Sequence, residues 1–131
     1  MPNNNAAPGF KDYPDHTVTL EPVLGSVRVE VFGQTIAETV AAIWLKESRY
    51  APVVYVPRGD VRFGLLRDSD TTTYCPFKGT ARYWGLQIGD DFVGDGVWGY
   101  DSPFDEVAVL ADYVAFYPDR VGAIMLDGQL L

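Results

Sequence analysis

The sequence predicts a mainly β domain, built as a sandwich or partly open barrel of short antiparallel strands with one or two short helical turns. Apolar and polar residues alternate with period two in short stretches such as 27–32, which is typical of strands with one buried face. Turn signals centred on glycine and proline separate these stretches. The sequence shows neither alternation of strands with long helices nor an internal repeat. These observations favour antiparallel strands over a parallel α/β sheet.

The first half of the chain contains four predicted strands. Residues 27–32 and 35–39 flank Gly33 and Gln34, which suit a tight hairpin turn. Residues 43–46 and 53–56 form two further predicted strands, joined by a loop.

The second half adds strands and two short helical segments. Asp60 is expected to cap a helical turn that ends near Leu66. Ser102 as N-cap and Pro103 at the first helical position predict a short helix that ends near Ala111. Further strands are predicted at residues 82–88, 92–100, 113–117 and 121–126.

A chain of 131 residues is long enough for one domain with its own core. Residues 1–14 are polar and punctuated by proline and glycine, which predicts a flexible N-terminal arm before a single β domain at 15–131. The start of the sequence lacks a signal-peptide pattern, and no apolar run approaches the length of a membrane span. The single cysteine excludes an intrachain disulfide. We therefore expect a cytoplasmic location without membrane contact.

The net charge of −8 argues against nucleic-acid binding, which depends on neutralising phosphates with basic side chains. Five basic residues nevertheless fall in the middle of the chain: Arg58, Arg62, Arg67, Lys78 and Arg82. Either they gather into a patch that holds one anionic ligand, or they are dispersed over a solvated surface.

The segment 71–84 contains the only cysteine and predicts a β-hairpin. Pro76 presets φ for the start of a turn, and Gly79 tolerates a left-handed conformation at its end. With residues 76–79 as a four-residue loop, the predicted pairs are Cys75–Thr80, Thr73–Arg82 and Thr71–Trp84.

This register determines which side chains of the hairpin share a face. Because strand side chains alternate, Cys75, Arg82 and Trp84 would lie on one face of the sheet. Tyr74 and Tyr83 would lie on the opposite, buried face.

A site for a small anionic or aromatic ligand is predicted around this hairpin. Lysine and arginine supply charge, and indole rings supply flat apolar walls. The Lys78 side chain, at the loop tip, is expected to bury little surface. For the tryptophans, packing in the core is the alternative. The predicted ligand-binding residues are Cys75, Lys78, Arg82, Trp84, Trp98 and Tyr100.

Catalysis is an alternative function of the same segment, with Cys75 and Lys78 as candidate nucleophiles. An activated thiol needs a nearby base or positive charge, which Lys78, Arg82 or His16 could supply. A cysteine that simply packs at a strand end is the other interpretation. Carboxylates at the ends of elements, such as Glu47, suit acid–base chemistry, but capping and surface salt bridges explain them equally well.

Neither a metal nor another cofactor is expected. Structural zinc sites usually take four Cys or His ligands, and the chain has only Cys75 and His16. Asp90, Asp91 and Asp95 do not have the spacing of a calcium loop, so a solvated hairpin turn is the better interpretation.

Several motifs together resemble the family catalogued as domain of unknown function 427, over residues 16–121. The core of the resemblance is Cys-Pro-Phe-Lys-Gly followed by Tyr-Trp, together with a late Phe-Tyr-Pro-Asp-Arg-Val. The matching stretches are His16-Thr17-Val18, Arg28-Val29, Ile36-Ala37-Glu38-Thr39, Tyr55-Val56-Pro57, Asp60-Val61, Cys75-Pro76-Phe77-Lys78-Gly79-Thr80-Ala81-Arg82-Tyr83-Trp84, Trp98-Gly99-Tyr100, Pro103 and Val114-Ala115-Phe116-Tyr117-Pro118-Asp119-Arg120-Val121.

The resemblance implies a β-tent-like fold, similar to methionine sulfoxide reductase B, the formaldehyde-activating enzymes and the thalidomide-binding domain of cereblon. Many of those proteins bind zinc through paired cysteines, which this chain lacks. Some have a pocket walled by aromatic side chains, which draws attention to Trp84 and Trp98. The family's occasional nucleotidyltransferase-like label is not supported, because the Gly-Ser motif with paired aspartates is missing. We therefore expect a metal-free small-molecule-binding domain; an enzyme, or a module for protein interaction or homodimerisation, is the alternative.

Overall fold

Two antiparallel sheets make up the protein in the computed structural model, which describes residues 5–131. The eleven strands of this part of the chain are β1 (Val18–Pro22), β2 (Val27–Val31), β3 (Gln34–Thr39), β4 (Ile43–Glu47), β5 (Val53–Pro57), β6 (Leu66–Cys75), β7 (Gly79–Ile88), β8 (Asp91–Tyr100), β9 (Tyr113–Phe116), β10 (Ala123–Leu126) and β11 (Gln129–Leu130). The larger sheet has the order β1-β4-β5-β9-β8-β7-β6, and the smaller has the order β11-β10-β2-β3. The predicted mainly β class is confirmed.

Helical segments are short and connect the strands. They are the α-helices α1 (Gly9–Asp12) and α2 (Pro118–Val121) and the 3₁₀ helices Arg58–Asp60, Phe63–Leu65 and Asp105–Asp112. The helix predicted to start at Pro103 instead starts at Asp105 as 3₁₀, and it is interrupted at Val107, where φ is −130°. The prediction that Asp60 caps a helical turn is also wrong, because Asp60 is the last residue of one 3₁₀ helix and Arg62 precedes the next. The Asp60 carboxylate instead accepts a hydrogen bond from the Thr39 hydroxyl at 2.7 Å.

A first hydrophobic core fills the space between the two sheets. On the smaller sheet, Val27, Val29 and Val31 point inward at alternating positions, as their period-two spacing requires. Facing them from β7 are Trp84 and Leu86, and the Trp84 ring is only 4% exposed. The two predicted roles for Trp84 are ligand contact and core packing, and its position is that of a core residue.

A second core covers the other face of the larger sheet. It is rich in tyrosine, and Tyr55, Tyr83 and Tyr100 are all buried there. The 3₁₀ helix Asp105–Asp112 closes this core with Val107 and Leu110. The larger sheet is therefore buried on both faces over much of its area.

The hairpin between β6 and β7 forms, but its predicted register is wrong by one residue. Cys75 pairs with Gly79 rather than with Thr80, so residues 76–78 form a three-residue loop. Gly79, with φ of +121°, is the first paired residue of β7 and not the last residue of the loop. Glycine adopts this conformation without the steric cost that a Cβ atom would add.

Because strand side chains alternate, the register error changes the faces that were predicted. Cys75 lies on the face of the second core with Tyr83, whereas Arg82 and Trp84 lie on the opposite face. Tyr83 is buried as predicted, but Tyr74 is exposed, contrary to the prediction. The expected single face carrying Cys75, Arg82 and Trp84 does not exist.

The N-terminal segment contacts the domain from residue 5 onwards; residues 1–4 of the predicted flexible arm lie outside the described residues. The backbone N–H groups of Asn5 and Ala7 donate to the carboxylates of Asp105 and Glu106 at 3.0 and 2.9 Å. The Gly9 N–H donates to the Pro76 carbonyl at 3.0 Å, which joins this segment to the hairpin loop. The helices of the described residues are all too short or too polar to cross a bilayer.

Replacing Trp84 with alanine is expected to lower the free energy of unfolding by about 3–5 kcal/mol, because a fully buried ring leaves a cavity. Urea denaturation followed by circular dichroism measures this change. The control is Phe32→Ala, since the Phe32 side chain is 56% exposed and its loss should cost less than about 0.5 kcal/mol. Equal effects of the two substitutions would contradict the placement of Trp84 in the core.

Candidate functional site

A carboxylate with two basic partners lies at the hairpin tip, on the face of the second core. The Lys78 ammonium donates to Glu47 Oε1, and His16 Nε2 lies 2.8 Å from Glu47 Oε2. The Glu47 and Lys78 side chains are only 12% and 14% exposed. The expectation that Lys78 buries little surface at a loop tip is therefore wrong.

Each of these three residues comes from a different part of the chain. Glu47 is the last residue of β4, Lys78 belongs to the β6–β7 loop, and His16 precedes β1. The His16 ring stacks on Phe77 with 3.8 Å between ring centroids. Its Nδ1 atom lies 3.3 Å from the Ser48 hydroxyl. The imidazole is thus held on its face and at both nitrogens.

The charges around Glu47 act against the effect of its burial. Burial alone would raise the pKa of this carboxyl, because it disfavours the charged form. Hydrogen bonds and electrostatic attraction from Lys78 and His16 outweigh that effect, so the pKa of Glu47 is lowered from its ordinary value of 4.5. The carboxylate is therefore ionised at neutral pH.

An open pocket of about 500 Å³ adjoins these groups, and we call it the Glu47 pocket. Its lining residues are His16, Glu47, Tyr50, Val53, Tyr74, Cys75, Pro76, Phe77 and Lys78. A second depression of about 470 Å³ shares His16 and Tyr50 with it and continues along residues 12–15. Cys75 is half-buried, and its thiol is free.

Tyrosine hydroxyls are paired inside the second core. The Trp98 indole N–H donates to the Tyr55 hydroxyl at 3.2 Å, and the hydroxyls of Thr73 and Tyr83 lie 2.9 Å apart. Burial raises the pKa of both Tyr55 and Tyr100 above the ordinary value of 10.0. These phenols therefore stay neutral at physiological pH.

The six predicted ligand-binding residues do not line one pocket. Cys75 and Lys78 line the Glu47 pocket together. Arg82 lies on the other face of the sheet, where it bonds Asp68 at 2.9 Å and stacks over the Trp84 ring at 4.5 Å. Trp84 itself is enclosed in the core between the sheets.

The two remaining predicted residues, Trp98 and Tyr100, lie in and beside the second core. Tyr100 is buried there. Trp98 is half-buried and lines a separate apolar pocket of about 350 Å³, away from Lys78. Whether any of the six residues binds a ligand remains a prediction.

The predicted basic patch is largely neutralised by carboxylates. Arg58 bonds Asp101 at 2.9 Å, and Arg82 contacts the same Asp101 at 3.4 Å. Lys78 is paired with Glu47. The described basic side chains of the predicted patch thus do not gather around one open anion site.

Sequence reasoning missed the pairing of Lys78 with Glu47 and His16. A signal was present, because Ile43, Leu45 and Glu47 share one strand face, and an ionised residue on an apolar face needs a buried partner. Among residues 5–131, no group of three or more Cys, His, Asp or Glu side chains is arranged to hold a metal ion.

Replacing Lys78 with methionine is expected to lower the free energy of unfolding by about 2–4 kcal/mol, because it leaves the Glu47 charge mostly buried without its main partner. Lys46→Met is the matched control. Lys46 pairs with Glu21 at 2.7 Å, but its side chain is 48% exposed, so its loss should cost less than about 1 kcal/mol. Similar losses for the two variants in urea denaturation would show that burial of the Lys78 pair contributes nothing.

The lowered pKa of Glu47 predicts an acid-dependent stability. Ionised Glu47 stabilises the folded state above its unfolded pKa of 4.5, and this contribution is lost as the pH falls through the lower folded pKa. Glu47→Gln should therefore be less stable than the unmodified protein at about pH 6, and this difference should shrink towards about pH 3. Urea denaturation at both pH values, with Glu21→Gln as the exposed control, measures it. A difference that grows on acidification would refute this assignment.

Comparison with protein-family models gives one finding that bears on identity. Residues 19–127 match the model described as "Domain of unknown function (DUF427)". A comparison with curated proteins found no match. The matched range includes Glu47, Cys75 and Lys78, and it covers most of the 131 residues. The resemblance predicted from the sequence motifs is confirmed, and the chain belongs to the DUF427 family.

Proposed function

We propose that this protein binds a small molecule in the Glu47 pocket. The observation that carries the proposal is the meeting, in one concave site, of a mostly buried carboxylate with its two basic partners and an exposed aromatic side chain. Ligand sites in proteins typically combine a volume of about 300–1,000 Å³ with a few fixed polar groups. The pocket's volume of about 500 Å³ falls within that range.

The charge balance of the pocket favours an uncharged planar ligand over an anion. Lys78 is already paired with Glu47, so it offers less attraction to a second anionic group. Tyr50, which is 66% exposed, presents an aromatic wall at the pocket. An aromatic ligand can pack on that ring while N–H or O–H groups on its polar edge donate to the remaining lone pairs of the Glu47 carboxylate.

The polar groups of the pocket are held in place before any ligand arrives. Glu47 is anchored in β4, and His16 is fixed between Phe77 and Ser48. Preorganised groups lose little conformational entropy on binding, which favours affinity. This arrangement supports a binding role for the pocket.

An enzyme is the second candidate, because Cys75 and Lys78 share the pocket with a carboxylate and an imidazole. These residue types can supply a nucleophile and a proton shuttle. The third candidate is an interaction or self-association module, for which Tyr50 and Tyr74 supply exposed aromatic surface at an open pocket.

A thermal-shift screen of uncharged aromatic metabolites and related polar compounds tests the proposal. A ligand at a hundred times its dissociation constant adds about 2.7 kcal/mol of stability, which raises the melting temperature by several degrees. For any compound that binds, Tyr50→Ala should weaken affinity at least about fivefold, because it removes the aromatic wall. Phe32→Ala removes an equally exposed aromatic residue outside the pocket and should leave affinity unchanged.

Two results would contradict the proposal. The first is a screen in which no compound raises the melting temperature. The second is a ligand whose affinity is unaffected by both Tyr50→Ala and Lys78→Met, since such a ligand would bind elsewhere.

A further inference from the structure

A separate apolar pocket, of about 350 Å³, opens at the margin of the sandwich where β9 ends. We call it the Trp98 pocket. Its walls come from both sheets, with Trp98 from β8, Phe116 from β9 and Ile124 from β10. Tyr117 lies where the chain turns from β9 into α2. The cavity thus lies at a margin where side chains from both faces of the larger sheet meet the smaller sheet.

The described side chains that line the Trp98 pocket are mostly apolar, and none of them is charged. None of the described residues that line it is Asp, Glu, Lys or Arg. The Trp98 N–H is already used by the Tyr55 hydroxyl at 3.2 Å, and the Tyr117 hydroxyl lies 3.5 Å from that of Tyr83.

The nearby Arg120 guanidinium lies over the Tyr117 ring at 5.8 Å but donates to the Gly94 carbonyl at 2.7 Å. A charged ligand group would therefore lose its hydration here without gaining a free partner. The pocket chemistry therefore selects an uncharged occupant.

The shape of the walls further restricts the occupant. The Trp98 and Tyr117 rings pack against each other, with 4.3 Å between centroids and 38° between planes. Trp44 from β4 and Phe116 from β9 add two more aromatic side chains. Flat rings favour stacked or edge-to-face contacts with another flat ring. A volume of about 350 Å³ lies at the small end of the range for ligand sites, so the occupant is small.

From these observations we propose that the Trp98 pocket binds an uncharged aromatic group of one or two rings. It is a separate site from the Glu47 pocket, although Val53 lines both of them. The inference does not depend on the function proposed for the Glu47 pocket. Aromatic walls, a Trp98 N–H that already has its partner and the absence of a charged side chain among the described lining residues carry it.

The test uses two probes with the same ring system. 2-Naphthalenemethanol is uncharged, and 2-naphthoate carries a carboxylate at the same position. Isothermal titration calorimetry on the full chain should detect binding of the alcohol. The carboxylate should bind at least about tenfold more weakly, because its charge would be buried unpaired.

The chain offers a matched pair of leucines for the substitutions. Leu131 lines the pocket and is 52% exposed, whereas its neighbour Leu130 is 71% exposed and does not line it. Leu131→Ala should weaken binding of the alcohol about 3–10-fold through lost apolar contact, and Leu130→Ala should leave it unchanged. Leu131→Trp should obstruct the mouth and weaken binding further. Both positions are exposed enough for the variants to fold, which their melting curves will check.

Each outcome decides the proposal. It is overturned if 2-naphthalenemethanol does not bind at about millimolar concentration, if 2-naphthoate binds equally well, or if Leu131→Trp leaves binding unchanged. Tyr50→Ala distinguishes the two pockets, because Tyr50 lines the Glu47 pocket and not the Trp98 pocket. If Tyr50→Ala abolishes binding of the alcohol and Leu131→Trp does not, the probe occupies the Glu47 pocket and this inference fails while the proposed function stands.

Discussion

The ion pair between Lys78 and Glu47 joins two distant parts of the larger sheet. One row of paired residues runs across the strands from Ile43 on β4 to Tyr83 on β7. Glu47 lies four residues beyond this row and Lys78 five residues before it, on strands that run in the same direction. In a flat sheet, this offset of nine residues would separate them by about 30 Å along the strands alone. Their contact therefore requires a strongly twisted and curled sheet.

In a β-barrel the strands tilt and their register is staggered, which brings the ends of distant strands together. The larger sheet is curled in a similar way. In residues 5–131 the edge strands β1 and β6 do not pair, so the sheet does not close into a barrel. The tyrosine-rich second core fills the inside of the curl, and the Glu47 pocket lies at one end of it. The site and the fold thus depend on the same geometry, because the contact of Lys78 with Glu47 requires the curl of the sheet.

Local signals in the sequence predicted most of the strands, but they missed β1 and β11 and did not predict the arrangement of the site. Alternating valines predicted β2, and the proline and glycine of residues 76–79 predicted the hairpin. The loop length could not be read from these residues, because Gly79 suits either the loop end or the first pair, and that choice moves Cys75 to the other face. The contact of Glu47 with Lys78 depends on the curl of the whole sheet, which no local pattern encodes.

The residues that line the two pockets extend beyond both ends of the family match. The family match covers residues 19–127, but His16 completes one pocket and Leu131 lines the other. A fragment trimmed to the matched range would keep most of both sheets and lose a wall from each cavity. The range of the family match and the range of the residues that line the two pockets are therefore different, so recombinant fragments limited to the match would lack part of both cavities.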